Sequence, residues 1–172
     1  MQTCALIFPH QLFANHPALD RTRLAVLCED SLFFGDARYP ARFHVQKLIF
    51  HRASMKAYGA QLARRRQETR YVEYVEGKTA RDLINSLAAD GIKEIAWADP
   101  VDDILERRVR QGCAENGIQL TTYPSPMFLT PVDWGLNVLG DQPPYRMQSF
   151  YIAQRKRMNL LLDGEGRPVG AR

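Results

Sequence analysis

The sequence predicts an α/β fold: a Rossmann-like, doubly wound sheet of five parallel strands in the order 3-2-1-4-5, followed by a C-terminal connector helix. Three observations predict it. Two short, wholly apolar runs, residues 4–8 (CALIF) and 24–28 (LAVLC), read as strands buried on both faces, the mark of a parallel sheet. Strand-like and helix-like segments then alternate with short links along the rest of the first 124 residues. Finally, the commonest arrangement of such units puts the first strand in the middle, so that the crossover direction reverses between strands one and four.

Taken in order, the link between the first two strands, residues 9–23, is close to the dozen residues that a parallel crossover needs. It holds a turn signal at Asn15-His16-Pro17 and room for about two helical turns over residues 17–21. After the second strand comes a loop of more than ten residues, from Glu29 to the break at Tyr39-Pro40. Loops of that length are often functional. The longest helical pattern follows, over residues 43–66. Val45, Leu48, Ile49, Arg52, Met55, Tyr58 and Leu62 recur at three- and four-residue spacings and predict one buried face. His44, Lys47, His51 and Arg52 crowd its first turns, more polar groups than packing alone requires.

Residues 69–75 alternate and are rich in valine and tyrosine, so they read as a third strand. Thr79 opens a capped helix that Gly91 stops. Residues 94–98 form strand four. Asp99-Pro100 reads as a cap followed by a first-position proline, and the next helix carries acids early and arginines late, as the helix dipole prefers. Residues 118–123 are strand five. From residue 125 to 172 the character changes: prolines bracket a short helix near residues 130–134, and a longer basic helix is expected over residues 147–162, with Phe150 and Tyr151 exposed.

At 172 residues, with 45% hydrophobic and 24% charged residues, the composition is that of an ordinary globular chain able to bury a core. A net charge of +4 permits nucleic-acid contact without demanding it, and the arginine clusters read chiefly as solvated helix ends. Cys4, Cys28 and Cys113 are far apart with no CxxC pair, which argues against a zinc site or a disulfide framework. No apolar run is long enough to span a membrane and no signal peptide is evident, so a cytoplasmic protein is expected.

In open α/β sheets ligands bind beyond the carboxyl ends of the strands, at the reversal point. That gathers Pro9, His10, Gln11 and Leu12 after strand one, Glu29 and Asp30 after strand two, and Asp99 after strand four around one crevice, with His44 and Lys47 reaching it from the long helix. Neither GxGxxG nor a P-loop is present, which disfavours ordinary dinucleotide or ATP binding. Gln11 offers a donor and an acceptor to the edge of a flat heterocycle, Glu29 and Asp30 accept from hydroxyls, and Phe33, Phe34 and Tyr39 offer a flat apolar wall. Each has a structural alternative: Gln11 satisfying loop backbone, Asp30 capping a turn, His44 beside a helix cap, Lys47 on the surface.

Several segments together resemble the photolyase-related branch of the cryptochrome/photolyase family, the bacterial type with an iron–sulfur cluster. They are Gln11-Leu12, Leu27-Cys28-Glu29, the run from His44 through Lys47 and His51 to Met55, Arg70-Tyr71, and Phe150-Tyr151 leading to Arg155-Lys156-Arg157, Leu160 to Gly164 and Pro168-Val169-Gly170. The resemblance implies an N-terminal antenna domain holding 6,7-dimethyl-8-ribityllumazine, which passes excitation to a reduced flavin for repair of (6-4) photoproducts in DNA. It implies antenna contacts at Gln11, Leu12, Glu29, His44, Lys47 and His51. It implies FAD, a 4Fe-4S cluster and the damaged-DNA pocket in a C-terminal catalytic domain that these residues do not include, so the chain alone is expected to be non-catalytic. Relatives usually carry Gly-Asp before the Gln-Leu pair, whereas Pro9-His10 stands here. His51 stands where an apolar residue would make a drier slot.

Three readings follow. The first is an antenna-binding, light-harvesting module; the second is a structural domain of the same protein with no pigment, docking the catalytic domain through residues 147–162 with an exposed apolar patch near Phe150 and Tyr151; the third is an unrelated α/β enzyme on a nucleotide-like substrate, which would need a perturbed acid or base in the crevice.

Overall fold

The computed structural model describes residues 2–167 and residue 169. The chain divides into two units, residues 1–126 and 127–172. In the first, β1 (Gln2–Ile7), β2 (Leu24–Cys28), β3 (Thr69–Val72), β4 (Ile92–Ala98) and β5 (Gln119–Tyr123) form one parallel sheet in the order β3-β2-β1-β4-β5, as the sequence predicts. Its helices are α1 (Ser31–Phe34), α2 (Val45–Arg64), α3 (Ala80–Ala89) and α4 (Asp103–Glu115).

Strand alternation sorts the core into two layers. Cys4, Leu6, Phe8, Val26, Cys28, Ile95 and Trp97 face α3 and α4, meeting Leu83, Ile84, Leu87, Leu105 and Val109. Ile7, Ala25 and Leu27 face α2, meeting Met55, Tyr58 and Leu62. Trp97 is fully buried, and its indole N–H is satisfied by Thr122 Oγ1 at 2.8 Å. Toward β4 the buried residues on the α2 side are small: Ala5 and Ala96 pack on Ala18, with Leu19 and Tyr123 at the edge. That lets the link between β1 and β2 lie close over the sheet. The two turns of helix expected at residues 17–21 are not there; the link is a chain of turns closed by Leu19 N–H to His16 O and Arg23 N–H to Asp20 O. Backbone hugging an alanine surface leaves no room for a helix about 10 Å wide.

Helix α2 corrects the sequence reading in its first half. Met55, Tyr58 and Leu62 are buried, but Val45 and Ile49 are 61% and 62% exposed, and Arg52 is exposed. The reason is length. Twenty residues of helix span about 30 Å, whereas the five-residue strand β2 beneath spans about 17 Å. The helix therefore overhangs the carboxyl end of the sheet, and its regular apolar spacing continues past anything it can pack on.

Two helix starts also differ from expectation. Asp99 does not cap α4: its carboxylate accepts from Val101 N–H in a tight turn, and the cap is Asp102, whose Oδ1 accepts from Leu105 N–H at 2.8 Å. The Glu29–Pro40 stretch contains one helical turn, α1, capped by Asp30. For α3 the expected Thr79 start holds, with Asp82 Oδ2 accepting from Thr79 N–H at 2.9 Å. Strand β3 ends at Val72, three residues short of expectation, because its partner β2 ends opposite at Cys28.

The second unit holds α5 (Val132–Leu139) and α6 (Met147–Met158), neither with a buried residue. Trp134 and Phe150 meet edge-to-face at 5.9 Å, and Arg157 lies over Trp134 at 4.8 Å. Tyr151 is exposed as expected, whereas Phe150 is half-buried. Helix α6 stops four residues before Leu162, at a left-handed Asn159. Pro168 and Gly170 of the quoted motif lie outside the described residues.

Candidate functional site

At the carboxyl ends of β1 and β4 the chain after β1 turns back, with Gln11 N–H on Phe8 O at 2.9 Å. This buries Pro9 and Gln11 and leaves His10 and Leu12 half-buried. Gln11 donates from Nε2 to Ala98 O at 2.9 Å and, more weakly, to Asp99 O at 3.4 Å. His10 Nε2 lies 2.9 Å from Pro100 O. Two consecutive side chains are thus tied to the backbone leaving β4, where Asp99 contributes its carbonyl and keeps its carboxylate on the turn.

An aromatic shelf flanks this corner. His10 stacks on Phe33 at 5.0 Å between ring centroids. Phe33 and Phe34 meet His51 at 6.0 and 6.2 Å, and Phe34 stacks on Tyr74 at 5.9 Å. The one-turn helix α1 presents the two phenylalanines, and the overhang of α2 presents His51. Among the described residues, four buried polar atoms here have no hydrogen-bond partner: His10 Nδ1, Gln11 Oε1, and both ring nitrogens of His51. Leaving such an atom unpaired costs about 1–3 kcal/mol, and groups that persist in that state are candidates for ligand contact. Burial lowers the pKa of His10; burial, then Lys47 and His10, lowers that of His51. Both rings are therefore neutral near pH 7.

Glu29 sits under the shelf, 3% exposed. Its Oε1 accepts from Arg52 Nε at 2.8 Å and Tyr71 Oη at 2.6 Å, and its Oε2 from Arg52 Nη2 at 2.5 Å and Tyr74 N–H at 2.9 Å. Burial pushes its carboxyl up, but the Arg52, Tyr71 and Tyr74 bonds outweigh that and hold the pKa below its ordinary value. All its acceptor capacity toward the protein is used, and it fixes the α2 turn that carries His51.

Asp30, one residue on, points to the other face of the sheet. It accepts from Leu32 N–H and Ala80 N–H, and Arg108 lies 3.3 Å away. Arg108 also reaches Asp36 at 2.7 Å. Burial raises the Asp30 pKa; for Asp36, bonds from Ser31, Tyr39 and Arg108 overcome burial and bring it down to about 2. Asp30 lines a hollow of about 320 Å³ between β3 and α3, with Arg70, Thr79 and Ser86. His44 is the exposed N-cap of α2, its Nδ1 accepting from Gln46 N–H. Exposed Lys47 lies over the Phe43 ring at 4.3 Å.

The structure thus brings His10, Gln11, the Asp99 carbonyl and His51 to one corner with Glu29 beneath; it separates Asp30 and leaves His44 and Lys47 at the rim. Leu12, expected at the crevice, instead packs beside Met55, Tyr58 and Leu62 and lines another hollow, about 670 Å³, that follows the far half of α2 along Ala57, Tyr58, Gln61, Arg64 and Arg65; none of the unpaired polar atoms lines it. Sequence reasoning singled out Arg52 as a surplus polar group but not its pairing with Glu29, and it gave no supporting role to Tyr71, Tyr74 or Arg108. The available signal was an arginine inside an otherwise apolar helical stripe, in a chain with an acid at the end of the neighbouring strand. Among the described residues no group of three His, Cys, Asp or Glu can hold a metal ion, the three cysteines are free and buried, and no helix is long and apolar enough to cross a membrane.

Fold and corner together define a Rossmann-like α/β unit with an aromatic, partly unsatisfied polar surface at its topological switch point. The chain belongs to the deoxyribodipyrimidine photo-lyase-related protein family, whose model matches residues 5–172. It is also similar to protein R852 of Acanthamoeba polyphaga mimivirus, described as uncharacterized: 31% identical over 179 residues, covering all of this chain and 90% of the relative.

Proposed function

We propose that the α/β unit holds an antenna chromophore for a light-driven DNA-repair protein of this family, with 6,7-dimethyl-8-ribityllumazine as the candidate pigment. The observation that carries this reading is the set of unpaired buried atoms on His10, Gln11 and His51 beside the Phe33–Phe34 shelf at the switch point. A flat heterocycle with a polar edge matches both features: ring faces cover phenylalanine, and edge groups meet the imidazoles and the amide. When bound, the pigment supplies near-ultraviolet and blue absorption and hands excitation to a reduced flavin.

This chain's own part is positional. Phe33 and Phe34 set the ring plane. His10 and Gln11, pinned to the carbonyls after β4, set the edge. Glu29 holds Arg52, and so holds His51 one residue before it. FAD, the 4Fe-4S cluster and the contact with damaged DNA belong, in this reading, to a C-terminal catalytic domain of the iron–sulfur (6-4) branch, with which this unit partners. Fluorescence titration of the purified chain with the lumazine tests the proposal. One saturable site in the micromolar range supports it; affinity no tighter than millimolar removes it.

A docking role without pigment is the second reading, and a specific observation favours it. Val45, Ile49 and Phe50 on the α2 overhang are 61%, 62% and 69% exposed. Clustered exposed apolar side chains mark interaction surfaces.

A further inference from the structure

We propose that His10 and Gln11 are specificity-determining residues that read a hydrogen-bond donor on the ligand, a ring N–H of the imide type, and that this corner rejects ligands presenting only acceptors there. The inference rests on the function proposed above and deepens it.

The argument is one of proton placement. A backbone carbonyl can only accept, so His10 Nε2, 2.9 Å from Pro100 O, must carry hydrogen. A neutral imidazole has one N–H; His10 Nδ1 is then a bare lone pair, and it is buried without a partner. The Gln11 amide is oriented in the same way. Its Nε2 faces two carbonyls, Ala98 O and Asp99 O, and the flipped amide would set oxygen against oxygen. Its remaining atom, Oε1, is a pure acceptor, again buried and unpaired. Both side chains are fixed by the same three-residue stretch, 98–100, so the corner presents acceptors whose character the protein cannot change.

Only His51 is free to adapt, since nothing fixes its tautomer; it offers one donor and one acceptor. The corner therefore asks the ligand for donors. An imide edge, with its N–H between two carbonyls, answers it: the N–H meets a fixed acceptor, and a flanking carbonyl can take the His51 donor. Hydroxyls of a polyol chain can supply further donors. A carboxylate or ionised phosphate cannot. The neighbouring cations are engaged elsewhere, Arg52 on the Glu29 carboxylate and Lys47 over the Phe43 ring at the exposed rim, so nothing buried here offsets an anion against two lone pairs.

The test compares two ligands on the unaltered protein: 6,7-dimethyl-8-ribityllumazine and its N3-methyl derivative, titrated by fluorescence. The expected result is that methylation raises Kd at least tenfold, since it removes the donor and sets a methyl group against an acceptor. One imide N–H meets one of the two acceptors, so either His10→Phe, which keeps the stack on Phe33, or Gln11→Met is expected to reduce that ratio; a ratio unchanged in both overturns the inference. If wild-type protein binds both ligands equally, the donor-reading inference is overturned while the antenna reading stands. If neither ligand binds more tightly than millimolar, the antenna reading falls and takes this inference with it.

Discussion

Replacing Glu29 by glutamine removes one charge and changes almost no volume, so it isolates what the carboxylate does. Four donors converge on it: two N–H groups of Arg52, the Tyr71 hydroxyl and the Tyr74 N–H. An amide can keep one oxygen among these, but its NH₂ must then face at least one N–H that has nothing to accept it. Turning the NH₂ toward Oε1 is the milder choice, because the Tyr71 hydroxyl can rotate to accept; Arg52 Nε is still opposed. Hydrogen bonds to a charged partner are worth about 1.5–3 kcal/mol each, and breaking a buried pair costs about 3–5 kcal/mol. The Arg52 side chain is 47% exposed, so water recovers part of its loss. A destabilisation of about 2–3 kcal/mol is expected at pH 7, measured by urea unfolding. Tyr71→Phe, which removes a single bond to the carboxylate, is expected to cost about 1.5 kcal/mol, the low end of the range for a charged partner. The pH dependence has a definite sign. The Glu29 pKa is depressed below 4.5 in the folded state, so its contribution is complete above 4.5 and is lost as pH falls through the folded value. The gap between wild type and Glu29→Gln must therefore narrow in acid. A cost under 0.5 kcal/mol at pH 7, or a gap independent of pH, would refute the assignment of Glu29 as the anchor of the α2 overhang.

Other perturbations follow from the same geometry. Arg108→Ala leaves Asp30 and Asp36 buried with no counter-charge, and is expected to lose about 3 kcal/mol by denaturant melt; Asp36→Asn in the same background is expected to recover part of it. Gly112→Ala sets a Cβ 3.1 Å from Ile84 Cδ1, 3.3 Å from its Cβ and 3.4 Å from its Cγ2, where α3 and α4 approach; an overpacking cost of about 2 kcal/mol, mid-range, exceeds the propensity gain of about 1, so Tm falls, and Ile84→Val, which removes Cδ1 alone, recovers only part of it. His16, 6% exposed, has its pKa lowered by burial from 6.5 to about 4. Its folded form resists protonation, so stability is full above pH 6.5 and declines toward pH 4, by at most about 3 kcal/mol at 1.36 kcal/mol per pH unit. His16→Asn, which keeps an acceptor for Ala18 N–H, is expected to flatten that decline between pH 6.5 and 4 in unfolding experiments.

The sheet was legible because its central strands are buried on both faces. Residues 4–8 and 24–28 can do little else than sit inside a parallel sheet, and the chain order then limits the topology to few choices. What periodicity cannot report is where the surface beneath an element ends. Val45 and Ile49 continue the spacing of Met55 and Tyr58, yet the sheet stops under Arg52. Residues 17–21 carry a helix-permitting sequence, but Ala5 and Ala96, which draw the loop down onto the sheet, are known to be opposite it only once the strands are paired. Asp99-Pro100 and Asp102 are both valid caps, and local sequence does not choose between them. At the corner, the switch-point rule brought His10, Gln11, Asp99 and His44 into consideration from topology alone. The same rule places Glu29 and Asp30 together after strand two, although strand alternation sends consecutive side chains to opposite faces. The proton arrangement on His10 and Gln11 depends on carbonyls about ninety residues away in sequence and is visible only in the folded chain.

The chain has four histidines, and they make the central claim directly observable. His10 and His51 line the aromatic shelf, whereas His16 is enclosed in the β1–β2 link and His44 caps α2 at the surface. An imidazole ¹⁵N NMR spectrum recorded with and without saturating 6,7-dimethyl-8-ribityllumazine reads all four at once. The account predicts that His10 and His51 shift while His16 holds its position. Unmoved His10 and His51 resonances beside a bound pigment, or a response confined to His16 and His44, would contradict it.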